Sequence, residues 1–347
     1  MATDMRAVFY LGPEQIQLRQ VPIPAPKEGE LLVCVRAATT CGTDVKTFRR
    51  GHPKFPPPFI FGHEFGGDIV EVGKGVKNFK PGMRVTSNVF AECGECFFCK
   101  KGQGNLCENL VYNFGAFAEY NIIPASIVRL NTFEIPAHVS YAQAAVLEPL
   151  VTVVHGQKLI AIQPGETVAI IGAGGPISLM HQQLARLAGA SKIICVGHSE
   201  KRLEISRQLG ASETINSNNQ DVVSSIQALT GGYGADVVIE CAGNKLAWEA
   251  AVDSVRKGGR VLWFGGLPGG TKIELDAGRI HYGEIKLIGI HGGNAQEARE
   301  AFDLITSSAI NVDPLLSGVL PLEQVEYALR KMINGEVVKM IIDPFLA

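Results

Sequence analysis

Four cysteines stand close together at Cys93, Cys96, Cys99 and Cys107, in the spacing C-x2-C-x2-C-x7-C. Thiolates two residues apart reach one ion from a tight turn, and Gly94 and Gly102 let the chain wrap around it. Four thiolates in a tetrahedron leave no open position, so the quartet predicts a structural zinc site. An iron–sulfur cluster is the metal alternative, and two disulfides the non-metal one. The quartet predicts a metal and is silent on any reaction.

A second set of chemically capable residues is dispersed. Cys41-Gly42-Thr43-Asp44 and Gly62-His63-Glu64 lie upstream of the quartet, and Glu148-Pro149 downstream. A catalytic zinc uses few protein ligands and keeps a position open to water or substrate. Cys41, His63, Glu64 and Glu148 supply such ligands from separate segments. Taken singly, Cys41 reads as a core cysteine, His63 as a satisfied histidine, and Glu148 as a carboxylate at a helix start, near the positive end of the dipole. Together, beside a closed cysteine site, they predict a second metal centre.

The third candidate is Gly172-Ala173-Gly174-Gly175-Pro176-Ile177-Ser178, placed after the apolar run Thr167 to Ile171. Gly172 permits a tight turn, and Gly174 lets the backbone approach a pyrophosphate seated on the following helix. With Gly175, Pro176 and Ile177, these form the expected dinucleotide loop. The pattern is imperfect, because Ile177 stands where a third glycine is expected. The helix is therefore expected slightly farther from the strand, and a plain βα turn is the alternative. At the end of the next apolar run, Gly197 occupies the position where an NAD-binding chain usually places Asp or Glu. His198, Ser199 and Arg202 follow and could donate to a 2′-phosphate, Arg202 as a bidentate cation. Glu200 lies close by and argues the other way. NADP(H) is the favoured cofactor and NAD(H) the alternative.

These residues need elements to hold them. Up to about residue 153 the chain reads as β-rich and turn-rich, with short apolar runs at Leu31 to Ala37 and Gly67 to Val72. Pro53, Pro56, Pro57 and Pro58 predict a rigid non-helical loop. From about residue 165 apolar runs alternate with helical patterns. Strands are expected at 167–171, 192–196, 235–240, 260–264 and 285–290, with helices near 177–188, 200–209 and 247–256. That alternation predicts a doubly wound parallel sheet. Helices near 295–306 and 322–333 precede a closing strand at 340–342. The expected domains are 1–153, 154–290 and 291–347, the last returning to the first.

Bulk properties narrow the classes. The 347 residues exceed one ordinary core and suggest two domains. The formal charge of -2 and the absence of like-charge blocks give no nucleic-acid or anionic-membrane surface. Met1 to Leu11 shows no secretory signal pattern, and no apolar stretch suggests a membrane span. A cytoplasmic location is the expectation. Reduced cysteines with metal ligation fit the eight cysteines better than disulfides.

Taken in order, CGTD at 41–44, GHEFGGDIVEVG at 62–73, the quartet, GAFAEY at 115–120 and EP at 148–149 resemble the zinc-containing medium-chain dehydrogenases. The resemblance runs over essentially the whole chain. It implies an α/β protein, a β-rich GroES-like catalytic domain plus a Rossmann domain, with two zinc ions per chain. Ethanol-type members tend to carry a later cysteine ligand where this chain has Glu148, which resembles the sorbitol (polyol) dehydrogenase branch. In that branch Cys41, His63 and Glu64 would hold the metal, and Glu148 would ligate it or hydrogen-bond its water. Threonine dehydrogenases often have Asp-Pro at this position, so they are expected less.

The implied reaction is hydride exchange between NADP(H) or NAD(H) and a secondary alcohol, polyol or ketose. Zinc would lower the pKa of the alcohol, and Thr43 would take its proton into a relay. Thr43 as an ordinary turn residue is the alternative. Lys46 stands where many relatives have a histidine. It could bind cofactor ribose or phosphate, but it carries a proton less readily near pH 7. Sugar phosphates, cyclitols and amino alcohols are the alternative substrates. A quinone-oxidoreductase-like reductase without catalytic zinc, and a recruited crystallin or regulator, are the competing classes. The segments Lys46 to Phe59 and Glu108 to Phe114 are expected to face substrate as loops. The resemblance implies a homodimer or homotetramer.

Overall fold

In the computed structural model, which describes residues 3–52 and 54–346, the chain divides into two compact units. One runs through Val151 and resumes at Gly293; the other is Thr152–Gly292. The divisions fall two residues from those expected, after 151 rather than 153 and after 292 rather than 290. Met1, Ala2, Pro53 and Ala347 lie outside the described residues, and with them part of the expected proline loop and both chain ends.

The first unit is built on antiparallel strands. Its central strand, Leu31–Thr39, pairs with Phe65–Val72, Tyr120–Ile123 and Lys339–Ile342. Lys339–Ile342 in turn pairs in parallel with Leu316–Leu320. Leu31, Val33, Val35, Phe65, Ile69, Phe117, Ile123, Leu329 and Ile342 share one buried cluster. The C-terminal segment is thus part of this sheet and its core.

The second unit is a parallel sheet in the order Glu213–Asn216, Lys192–Gly197, Thr167–Ile171, Ala235–Glu240, Val255–Trp263, Lys286–Gly289. In chain order this is 3-2-1-4-5-6, the dinucleotide-binding arrangement. Strict side-chain alternation assigns the two faces. Ala169, Ile171, Ile194, Val196 and Val238 join one apolar cluster, whereas Val168, Ile170, Ile193, Cys195, Val237 and Ile239 join another. Both faces are covered, which is why these strands read as unbroken apolar runs.

Three local readings need correction. Gly42–Arg50 is an α-helix, so Lys46 through Arg50 are not loop. The helix Lys245–Ser254 ends two residues earlier than expected, and the next strand starts at Val255 rather than 260. A register shift lies between the Ala235–Val255 and Val237–Arg260 pairs. There Gly258 has φ +71°, and a Cβ on Gly259 would lie 2.5 Å from Val255 Cγ2. The glycine pair passes the strand through an irregularity without ending it. Finally, Leu322–Gln324 is a 3-10 turn, with the α-helix starting at Val325.

Candidate active site and metal centres

The quartet closes as its spacing predicts. Cys96 Sγ lies 3.5 Å from Cys99 Sγ, Cys107 Sγ 3.5 Å from Cys93 Sγ, and Cys93 Sγ 3.9 Å from Cys99 Sγ. These separations exceed a disulfide bond of about 2.05 Å. They match the edge of a tetrahedron, about 3.8 Å for Zn–S bonds of about 2.3 Å. All eight cysteines are free thiols. A multinuclear iron–sulfur cluster would hold its thiolates farther apart. Backbone N–H groups of Glu95 and Cys96 lower Cys93, and those of Cys99 and Glu108 pull Cys96 down to about 6. Cys107 Sγ accepts from the Cys93 and Asn109 amides, at 3.3 Å each. Burial works the other way on Cys107 and Cys99, pushing Cys99 up to about 12, so the loop amides favour thiolate, the form a metal requires, at Cys93 and Cys96 only.

The dispersed residues also converge. One ligand atom each from Cys41, His63, Glu64 and Glu148 lies within 4.8 Å of the others. Two adjacent strands deliver the first pair: Ala38 sits opposite Phe65, so the end of Leu31–Thr39 and the start of Phe65–Val72 bring Cys41 and His63 together. Gly62 sets the turn before His63. It has φ +82°, and a Cβ there would lie 2.7 Å from the Phe117 ring. Glu148 is in the first turn of the helix Leu147–Ile160. The helix-start description of this carboxylate is correct, and compatible with a place in the cluster.

Asp44 organises the set. Its Oδ2 accepts from the Cys41 amide at 2.8 Å, capping the helix Gly42–Arg50, while its Oδ1 lies 3.0 Å from His63 Nδ1. Nδ1 is thereby occupied and Nε2 faces the cluster, 3.9 Å from Glu148 Oε2. Such a carboxylate–histidine pair fixes ring orientation and raises ligand basicity. Cys41 is the N-cap, and its Sγ accepts from the Thr43 amide at 3.5 Å. Sequence reasoning quoted Asp44 only as part of CGTD; its spacing three residues after Cys41, as a capping pair, was the available signal.

Glu64 is held differently. Its Oε1 accepts from Lys339 Nζ at 2.9 Å, and its Oε2 lies 2.6 Å from the same ammonium and accepts from the Thr39 hydroxyl. Lys339 and Glu64 are both fully buried. Sequence reasoning missed Lys339, 275 residues away.

The electrostatics call for a cation. Burial pushes Glu148 up to about 7, opposed by His63 and reinforced by Glu64. Burial also raises Cys41, with Glu64 adding to the effect. Burial works against a charged His63, yet the charge and hydrogen bond of Asp44 hold it well above its ordinary value. His63 is buried and Cys41 and Glu148 are half-buried, and a divalent ion would favour the ligating forms that their surroundings resist. Cys41, His63 and Glu148 fit zinc by donor type.

Thr43 and Lys46 lie one turn apart on the helix Gly42–Arg50, both exposed. The aromatic rings of Phe114, Phe55 and Tyr112 cluster beside His63, whose ring is 6.1 Å from Phe114.

In the second unit the glycine loop is a tight turn with close backbone approaches. Gly172 and Gly174 have φ of +92° and +84°. A Cβ on Gly172 would meet the Ala242 amide nitrogen at 2.5 Å, and one on Gly174 would meet Arg202 Cβ at 2.3 Å. Arg202 therefore packs directly on the loop. Gly175 caps the helix Pro176–Leu187, with Pro176 at its first position, where a missing N–H has no cost. Ser178 Oγ accepts from the Gly175 amide at 3.1 Å, and Ile177 is half-buried. Gly197 ends its strand, and a Cβ there would lie 2.9 Å from the Ala173 carbonyl oxygen. A carboxylate at 197 has no room on this backbone. His198 is exposed and Ser199 half-buried. Glu200 is turned to Arg207, at 2.6 Å, so its charge is already paired.

Comparison with known proteins agrees with this layout. Residues 27–132 match the alcohol dehydrogenase GroES-like domain, and residues 176–307 the zinc-binding dehydrogenase domain. The sorbitol dehydrogenase of Bacillus subtilis (strain 168) is 33% identical, over 98% of each chain. The L-threonine 3-dehydrogenase of the same strain is 34% identical, over 94% of each. Overall identity thus does not separate the two activities. A zinc-binding dehydrogenase of Sinorhizobium meliloti 1021, solved bound to NADP, is 35% identical with a TM-score of 0.91, covering 99% of this chain and 100% of its own. Family models in the expected order, and relatives matched nearly end to end, establish that this chain belongs to the zinc-containing alcohol dehydrogenases.

Proposed function

We propose that the protein is a zinc- and NADP(H)-dependent dehydrogenase of a secondary alcohol or polyol, working between the alcohol and its ketone. The observation that carries this reading is the convergence of Cys41, His63 and Glu148, with Asp44 fixing His63. Glu64 has both oxygens engaged by Lys339 and Thr39, so it supports the centre electrostatically while the other three ligate. The two similar dehydrogenases act by name on sorbitol and on threonine, and Glu148-Pro149 is the local reason to favour the polyol.

A zinc ion held there would act as a Lewis acid on the alcohol oxygen and lower its pKa. Thr43, exposed beside ligand Cys41, accepts the hydroxyl proton while passing its own to the cofactor ribose or to water. Lys46, one turn later, stabilises an anionic group of cofactor or solvent without itself relaying protons. The loop Gly172 to Ile177 binds the pyrophosphate. His198, Ser199 and Arg202 bind the 2′-phosphate, unopposed because residue 197 carries no carboxylate and Glu200 is paired with Arg207. The NADP seen in the Sinorhizobium relative supports that choice. The quartet holds a second, structural zinc. No helix among the described residues is long and apolar enough to cross a membrane. A cytoplasmic homodimer or homotetramer completes the reading.

The test is a panel of polyols and ketoses assayed with both cofactors. Turnover with NADP exceeding that with NAD is expected; turnover of none would contradict the reading. Any side chain at 197 meets Ala173, so the cofactor variant of choice is Arg202→Ala. It should lower the NADP-to-NAD ratio of kcat/KM about 10-fold or more, the effect of one charge-assisted contact. An unchanged ratio would remove Arg202 from the phosphate site.

A further inference from the structure

Glu92 directly precedes Cys93 of the quartet, yet its side chain is engaged elsewhere. Its Oε1 accepts from the Ala295 amide at 3.1 Å, 203 residues along the chain. Ala295 is the first residue of the helix Ala295–Thr306, which already carries a complete capping box. The Asn294 amide donates to Glu297 Oε2 at 2.8 Å, and the Glu297 amide to Asn294 Oδ1 at 3.0 Å. The box leaves the Ala295 amide to an outside acceptor, and Glu92 supplies it. Glu92 is half-buried, and its Oε2 is buried with no hydrogen-bond partner. A carboxylate oxygen held that way needs positive potential nearby, which the helix N-terminus provides. Glu92 also packs on the quartet loop: a Cβ on Gly104 would lie 3.0 Å from Oε1 and 3.1 Å from Cγ.

The helix that Glu92 holds begins where the chain returns from the nucleotide unit. The first unit leaves off at Val151 and resumes at Gly293, two residues before Ala295. These two points touch. A Cβ on Gly293 would lie 2.7 Å from Val151 Cγ1 and 3.1 Å from the Val151 carbonyl oxygen. Gly293 has no left-handed φ, so it is the close approach that requires glycine there. Val151 lies three residues after Glu148, on the same helix Leu147–Ile160. Contacts and short chain segments therefore run without a break from Cys93 through Glu92, Ala295, Gly293 and Val151 to Glu148.

We propose that Glu92 is a positioning residue: it ties the quartet loop to the place where the outgoing and returning chains touch, and through Gly293 and Val151 it sets the position of Glu148. The quartet loop then influences the reaction without touching substrate. Glu148 is sensitive to this link because it stands in the first turn of its helix, one turn before Val151. The effect on turnover rests on the dehydrogenase reading, whereas the mechanical link rests on the contacts alone.

The experiment measures amide hydrogen exchange, zinc content and kcat in wild type, Glu92→Ala, Glu92→Gln and Gly293→Ala. Glu92→Ala should speed exchange about 10-fold at 293–298, where the Ala295 amide loses its acceptor, and should speed it at 147–151 as well. Its kcat should fall about 10-fold while zinc content stays that of wild type. Glu92→Gln keeps an acceptor oxygen and should recover most of both losses. Gly293→Ala disturbs the link from outside the quartet, and should reproduce the changes at 147–151 and in kcat. Faster exchange confined to 92–107, unchanged exchange at 147–151, an unchanged kcat in an active enzyme, or a zinc ion lost in Glu92→Ala would each overturn the proposal. A wild type without turnover would overturn the dehydrogenase reading, and exchange at 147–151 would then decide the link by itself.

Discussion

The cysteine quartet and the Cys41 cluster each gather four candidate ligands, by different routes. The quartet draws like ligands from one loop, Cys93 to Cys107, and uses backbone amides to tune them. The other draws unlike ligands from Cys41 through Glu148 and depends on partners at Asp44, Thr39 and Lys339. A closed set of identical thiolates organises a loop. A mixed set, only partly buried, leaves room for chemistry and needs a scaffold to hold its unlike groups in place. On the proposed function, that difference would separate stability from catalysis within a single unit of the molecule.

That comparison breaks first at Lys339. If Glu64 depends on this ammonium, Lys339→Met leaves a buried carboxylate unpaired and should cost about 3–5 kcal/mol of stability. Chemical denaturation of wild type and variant measures it, and a loss within error would mean that Glu64 is satisfied some other way.

His181 supplies a control without candidate metal ligands. It lies in the nucleotide unit, edge-on to Phe264 and bonded to Gln157, and burial pushes it down to about 3. Its folded pKa lies below its unfolded value, so the unfolded state binds the extra proton. The stability it contributes is present above about pH 6.5 and is lost as pH falls toward 3. The full loss is on the order of 5 kcal/mol. His181→Gln should flatten this part of the acid-stability profile at constant zinc; an unchanged slope would assign acid lability to metal release alone.

Asp44 sharpens the contrast at the smallest scale. Asp44→Asn keeps the shape but weakens the His63 contact, and should reduce metal affinity or turnover about 10- to 100-fold. Zinc titration and kcat together check it, and no change in either would make Asp44 only a helix cap.

Legibility in the sequence followed the same division. The quartet and the run Thr167 to Ile171 are local patterns, and both were readable from spacing or apolarity. The helix Gly42–Arg50 was not. Its cap is a cysteine rather than Ser, Thr, Asp or Asn, and only Phe48 among its buried residues is apolar. The turn through Lys257, Gly258 and Gly259 concealed the early start of its strand in the same way. The Glu64–Lys339 pair was unreadable for a stronger reason: nothing local in either residue signals a partner that the closing strand brings in. The sequence shows that Gly197 carries no acid, but only the Ala173 carbonyl, 2.9 Å from where a Cβ would stand, shows that one would be crowded there.

The most direct test is zinc content and turnover measured together in wild type, His63→Ala and Cys99→Ser. Two zinc ions per chain are predicted for wild type and one for each variant. His63→Ala should remain folded and lose turnover by roughly 1000-fold or more, the scale of losing a metal-based catalytic centre. Cys99→Ser should lose thermal stability more than kcat. Two zinc ions and full turnover in His63→Ala, or a single zinc in wild type that Cys99→Ser removes, would contradict the account of a catalytic centre distinct from the quartet.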